Sequence, residues 1–203
     1  DGFPKNLLIE NDSGRAEVLL KGSAVENLSL ILRNGDIIKE LRDEVDAYEY
    51  DLTIIGGSAK RSMSHDMIQY INSSIFVVNN FNKTINYKIL LAVDDSPGTK
   101  KAVKYGVRVA QAFGIKVQII TVSEDENFKE ANKKSSENAS KMMRRCGVEA
   151  ETKFEVGKPV EKIIELAGED HIIIMGASTQ SPIAKFFVGS KPLNVLQNSN
   201  CQI

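Results

Sequence analysis

The sequence predicts an α/β fold: a doubly wound, five-stranded parallel sheet, in two tandem copies of which the first is shortened. Three observations predict it. Short apolar runs ending at or near a glycine alternate with amphipathic segments throughout the second half. Proline and glycine punctuate those segments where helices start and stop. One supersecondary pattern also occurs twice along the chain, the signature of a repeated unit. Strands separated by helices of about ten residues need right-handed crossovers, which give a parallel sheet covered on both faces.

The first copy opens with two short strand-like runs, Leu7 to Ile9 and Glu17 to Leu20, too close together for a strand, helix, strand opening. An alternating run from Leu28 to Leu32, a glycine at Gly35 and an amphipathic helix from Ile37 to Val45 follow. Asp51 to Ser58 is a buried-strand run ending at glycine, a helix begins near Ser64, and Ile71 to Val78 is a further strand. The polar, asparagine-rich stretch Asn79 to Asn86 reads as a linker. It sets domains at 1–80 and 87–203, joined by 81–86.

The second copy is cleaner. Lys88 to Val93 is a strand, and Ser96-Pro97 starts a helix whose apolar residues Val103, Val107, Ala110 and Phe113 recur until Gly114 stops it. Val117 to Val122 is the second strand, Phe128 to Arg145 a charged helix closed by Gly147, and Val148 to Val156 a third strand. That helix carries the basic cluster Lys141 to Arg145 on a solvated face, with Met142 and Met143 turned inward. Pro159 to Ala167 is a helix, Ile172 to Met175 a fourth strand, and Pro192 to Gln197 a short helix before a fifth strand starts. The stretch from Thr152 through Gly157 to Ala167 matches Leu28 through Gly35 to Val45, and Leu196 to Ile203 echoes Ile71 to Val78.

Composition narrows the function classes. The 203 residues are 42% hydrophobic and 26% charged, enough apolar content for a packed core. With 26 Lys and Arg against 27 Asp and Glu, the net charge of −1 draws the chain to neither nucleic acid nor acidic lipid. The two cysteines, Cys146 and Cys201, form no CxxC pair, which argues against a zinc site and a disulfide framework and fits a reducing, cytoplasmic location. No apolar run approaches the ~20 residues that span a bilayer, so no direct membrane contact is expected. A start without methionine and a close on an incipient strand read as a fragment, whose missing segments could carry a membrane anchor or a partner domain.

Ligands of open α/β sheets bind beyond the strands' carboxyl ends, where the winding reverses. Two loops of the second half meet that condition. The first, Val93-Asp94-Asp95-Ser96, puts a carboxylate at a strand end; Asp94 is either a ligand-binding group or a cap for the next helix. The second runs from Gly176-Ala177-Ser178-Thr179 through nine residues to Gly189-Ser190. Glycine and serine at a helix N-terminus suit a phosphate, and serve equally as a plain N-cap.

On these residues, 87 to 203 resemble a universal stress protein domain, from Leu91-Ala92-Val93-Asp94-Asp95-Ser96 to Asn198-Ser199-Asn200-Cys201. The resemblance implies an adenine nucleotide alpha hydrolase-like fold and, in the nucleotide-binding branch, ATP or AMP, with Mg²⁺ accompanying ATP. It implies that Asp94 bonds the ribose, that Ala92, Val93 and Val122 border the base, and that Met175 and Gly176 floor the site. Thr179, Gly189 and Ser190 then surround the phosphates. It further implies that the two halves pack through their last strands as an intramolecular pseudo-dimer, an arrangement separate chains of the family adopt as homodimers, and further oligomers are compatible with it.

The departures weigh against polyphosphate binding. Thr179 stands where the family has a second glycine, Asp95 replaces the usual glycine of the first loop, and Pro192 removes a backbone donor from the last helix's first turn. Lys185 and Lys191 either offset this charge or are plain surface residues. The first copy lacks the long phosphate loop after Gly57, so no nucleotide is expected there. His65 and His171 have no neighbours for a catalytic pair, and no nucleophilic constellation assembles. The expected function is adenine nucleotide binding in stress response or regulation, with ATP hydrolysis at most slow. The alternative is a nucleotide-free dimerisation scaffold regulating a partner or fused protein such as a transporter.

Overall fold

The computed structural model describes residues 7–12, 15–20, 31, 33–56, 63–79, 86–125, 129–177 and 191–203. They fall in two compact units, 1–49 and 50–203. In the first, β1 (Leu7–Asp12) and β2 (Arg15–Leu20) form an antiparallel hairpin that pairs Leu7 with Leu20 and Asp12 with Arg15. α1 (Ile37–Tyr48) starts where Asp36 caps it, its carboxylate accepting the Lys39 N–H at 2.9 Å. It ends at Glu49, whose left-handed backbone (φ 52°) sends its N–H to the Val45 carbonyl.

The second unit starts with β3 (Leu52–Gly56), α2 (Met63–Tyr70) and β4 (Ser74–Val78), the two strands parallel and in register from Leu52 with Ser74 to Gly56 with Val78. It continues through β5 (Lys88–Ala92), α3 (Pro97–Phe113), β6 (Val117–Ser123), α4 (Lys129–Arg145), β7 (Ala150–Val156), α5 (Pro159–Ala167), β8 (His171–Met175) and α6 (Lys191–Asn198). Four of these strands form a parallel sheet ordered β7-β6-β5-β8. Where a fifth strand is expected, a single parallel bridge joins Gln202 to Ile172, and the Ile173 N–H donates to the Gln202 carbonyl at 2.8 Å. The same segment meets β4 on its other side: Val77 and Ile203 exchange two backbone hydrogen bonds, at 2.5 and 3.1 Å. The linker expected at 81–86 lies outside the described residues apart from Asn86.

The strands are buried on alternate faces by two apolar clusters. Ile89, Leu91, Val93, Val117 and Ile119 pack with Val103, Val107 and Ala110 of α3 and Ala139 and Met143 of α4. Leu90, Ile120 and Ile173 pack with Ile163 and Ala167 of α5, Val195 of α6 and Cys201. Gly106 makes room within the first cluster, since a Cβ there would stand 2.9 Å from Met143 Cε.

Two side-chain expectations are corrected. Phe113 does not continue the α3 core stripe; it is 70% exposed, because at ~100° per residue it stands roughly 80–120° round the helix from Val103 and Val107. Met142 and Met143 do not both turn inward, since neighbours on a helix lie ~100° apart: Met143 is fully buried and Met142 37% exposed. His171 is structural: buried at the start of β8, its Nδ1 lies 2.8 Å from both the Ala167 carbonyl and Asp170 Oδ1.

Candidate functional site

β5 lies between β6 and β8, and the chain winds away from it through α3 on one side only, so the winding reverses between β5 and β8. Here Ala92 pairs with Ile120 on one flank and Met175 on the other. Ala92, Val122 and Met175 share the sheet face that carries α5 and α6, and together make a half-buried apolar ledge at the strand ends. Val93 turns to the opposite face and joins the core under α3 and α4, so only its backbone is left for the ledge.

Asp94 follows at once and organises the loop. Its Oδ1 accepts from the Ser96 N–H at 3.1 Å, the Ser96 hydroxyl at 2.5 Å and the Thr99 hydroxyl at 2.7 Å. Thr99 Oγ1 in turn accepts the Asp94 N–H at 3.2 Å. Ser96, at the N-cap of α3, therefore gives its side chain to Asp94 rather than to the helix. Burial raises the Asp94 pKa, but the hydrogen bonds from Ser96 and Thr99 and the positive charge of Lys191 outweigh it and hold it below the ordinary carboxylate range. The side chain is thus ionised at neutral pH, and among the described residues none donates to its Oδ2. Asp94 both secures the start of α3 and presents an acceptor. Asp95 is exposed to solvent.

Just after β8 the backbone at Gly176 passes so close to α3 that no side chain fits there. A Cβ on Gly176 would lie 2.4 Å from the Gly98 carbonyl carbon and 2.8 Å from the Thr99 nitrogen. A Cβ on Gly98 would lie 2.9 Å from the Ala177 carbonyl oxygen. Beyond Ala177, Thr179, Lys185, Gly189 and Ser190 lie outside the described residues. The chain returns at Lys191, the first residue of α6, whose Nζ stands 4.0 Å from Glu124 Oε1 at the end of β6. The structure thus brings Ala92, Asp94, Val122, Met175 and Gly176 to one end of the sheet. Thr99 and Glu124 carry no signal in the sequence, and Ser96 reads there as a helix start rather than as a partner of Asp94, although the two have the i, i+2 spacing of an Asx turn.

A model of the universal stress protein family matches residues 86–203, more than half of the chain. The chain belongs to that family. A solved universal stress protein from Archaeoglobus fulgidus shares the fold at a TM-score of 0.64 with 19% identity, over 83% of this chain and 64% of its own. The chain thus spans less than two thirds of that protein's length. Another universal stress protein from Archaeoglobus fulgidus matches at 26% identity and a TM-score of 0.50, covering 59% of this chain and 100% of its own. A third structure, from the same organism and in complex with dAMP, has a TM-score of 0.45 and 21% identity over 59% of this chain and 99% of its own. No curated protein matches the sequence. For this universal stress protein, no described helix is long and apolar enough to cross a membrane, and both cysteines are free.

Proposed function

We propose that this universal stress protein binds an adenine nucleotide, ATP or AMP, at the strand ends of its second half, and acts as a nucleotide-responsive regulator in stress. The observation that carries the reading is Asp94: an ionised carboxylate fixed through one oxygen, whose other oxygen takes no donor among the described residues and can accept one such as a ribose hydroxyl, beside the ledge of Ala92, Val122 and Met175. Such a ledge suits the flat apolar face of a base. In this reading Met175 and Gly176 floor the site, and the phosphates fall to Thr179, Gly189 and Ser190. Mg²⁺ would arrive with ATP on its phosphates. No base for activating water is part of this reading, so binding is the main activity and ATP hydrolysis at most slow. The test is nucleotide in the deproteinised supernatant of fresh protein, with thermal shifts on adding ATP or AMP, with and without Mg²⁺. Absence of all of these overturns the proposal.

A second reading, a scaffold without nucleotide, is favoured by the pairing of β4 with residues 201–203. The same pairing supports reading the chain as a tandem protein, 1–80 and 87–203 joined by 81–86, whose halves form an intramolecular pseudo-dimer in the cytoplasm. Replacing Gly189 by a bulky residue separates the readings: a nucleotide binder loses its nucleotide-dependent stabilisation, and a scaffold has none to lose.

A further inference from the structure

We propose that Lys191 is the side chain that reads the phosphate charge of the bound nucleotide, and that Glu124 holds it in reserve across the mouth of the site. This rests on the nucleotide reading above. Lys191 opens α6, which follows β8, while Glu124 follows the last residue of β6. β5 lies between those two strands and ends at Asp94, so the Lys191–Glu124 pair spans the crevice where the winding reverses. The Lys191 charge reaches the Asp94 carboxylate, whose pKa it helps to lower.

The pair is loose. At 4.0 Å, with the side chains 52% and 66% exposed, it is of the kind that contributes little and breaks readily. A phosphate offers more charge and more acceptor oxygens than a carboxylate, so a lysine within reach exchanges one for the other. The neighbouring sequence favours that exchange. Pro192, second in α6, lacks the N–H that a helix start would turn to an anion. Asp94, Asp95 and Glu124 leave the β5 and β6 ends as carboxylates, which repel a phosphate unless a cation turns towards it. Lys191 supplies a positive charge beside the one backbone donor that Pro192 removes.

The test is calorimetric titration of the wild type, Lys191→Met, Lys191→Arg and Glu124→Gln with adenosine, AMP and ATP, at low and high salt. Losing a charged hydrogen bond should weaken AMP and ATP binding to Lys191→Met about tenfold to a hundredfold. Adenosine affinity should not change, and Lys191→Arg should restore most of the phosphate preference. Glu124→Gln should tighten AMP binding, and the salt dependence of AMP binding should fall in Lys191→Met. If the wild type binds AMP and Lys191→Met keeps the same ratio of AMP to adenosine affinity, the role of Lys191 is overturned and the nucleotide site stands. Equal loss of adenosine and AMP marks Lys191 as structural and overturns it too. If the wild type binds none of the three ligands, the nucleotide reading falls and this inference with it.

Discussion

The side-chain amide of Gln202 holds both backbone polar groups of Asn79. Its Oε1 accepts the Asn79 N–H at 2.6 Å and its Nε2 donates to the Asn79 carbonyl. Asn79 answers with its own Nδ2, which donates to the Cys201 carbonyl at 2.5 Å. Both residues are buried, so a lost partner leaves backbone groups with no water to turn to. Gln202→Leu keeps the bulk and removes both bonds. It should destabilise the protein by about 2–4 kcal/mol, measured by urea unfolding, whereas a change within about 0.5 kcal/mol would show that the amide carries no such weight.

Gly176 should resist any side chain. In Gly176→Ala the added methyl meets backbone atoms of Gly98 and Thr99, which cannot swing away, and the cost should reach about 3 kcal/mol. Gly106→Ala is the contrast. The atoms nearest its methyl are the flexible end of Met143 and side-chain carbons of Leu91, and alanine gains helix propensity, so stability should move by less than about 1 kcal/mol. Comparing the two variants by thermal unfolding checks the claim that backbone contact, not volume, sets the order.

Much of the second half is legible in the sequence because its boundaries are written in local chemistry. Pro97 and Gly114 bracket α3, Pro159 and Gly168 bracket α5, and the runs of β5 and β8 are apolar because each is flanked by a strand and covered by helices. The ledge of Ala92, Val122 and Met175 follows from strand alternation once those runs are placed. What escapes is chemistry between distant residues. Nothing local marks Gln202 as the partner of Asn79, or Glu124 as that of Lys191. Gly98 reads as an unremarked helix residue until the loop at Gly176 is seen against it. Phe113 misleads because its three-residue step from Ala110 looks helical yet carries the side chain round the helix, away from the stripe of Val103 and Val107.

Asp94 makes the protein's stability depend on acid in a defined direction. Its pKa is lower in the folded chain than the ordinary carboxylate value of 3.8, so its contribution is complete above that value and is lost as pH falls through the folded-state pKa. Asp94→Asn keeps an acceptor for Ser96 and Thr99 but loses the charge. At neutral pH the variant should be less stable than the wild type, and the gap should close on acidification below pH 3.8. Urea unfolding of both proteins at several pH values measures it. A gap that stays constant with pH would mean the charge on Asp94 is irrelevant to the loop.

β3 and β8 read alike in sequence, yet their surroundings differ. β8 buries His171 and Ile173, whereas on β3 Ile54 is 62% exposed and Leu52 lies on the same open side. Among the described residues β3 pairs with β4 alone, so it offers an uncharged, apolar edge of the kind that recruits other strands. Ile54→Lys places a charge in the middle of that edge. Folding stability should stay within about 0.5 kcal/mol of the wild type, since little buried area is lost, while light scattering at high concentration should fall. Leu91→Ala, at a fully buried position in β5, should instead cost about 3 kcal/mol. If Ile54→Lys destabilised the protein as much as Leu91→Ala, Ile54 would belong to a packed interface, and β3 would not be an open edge.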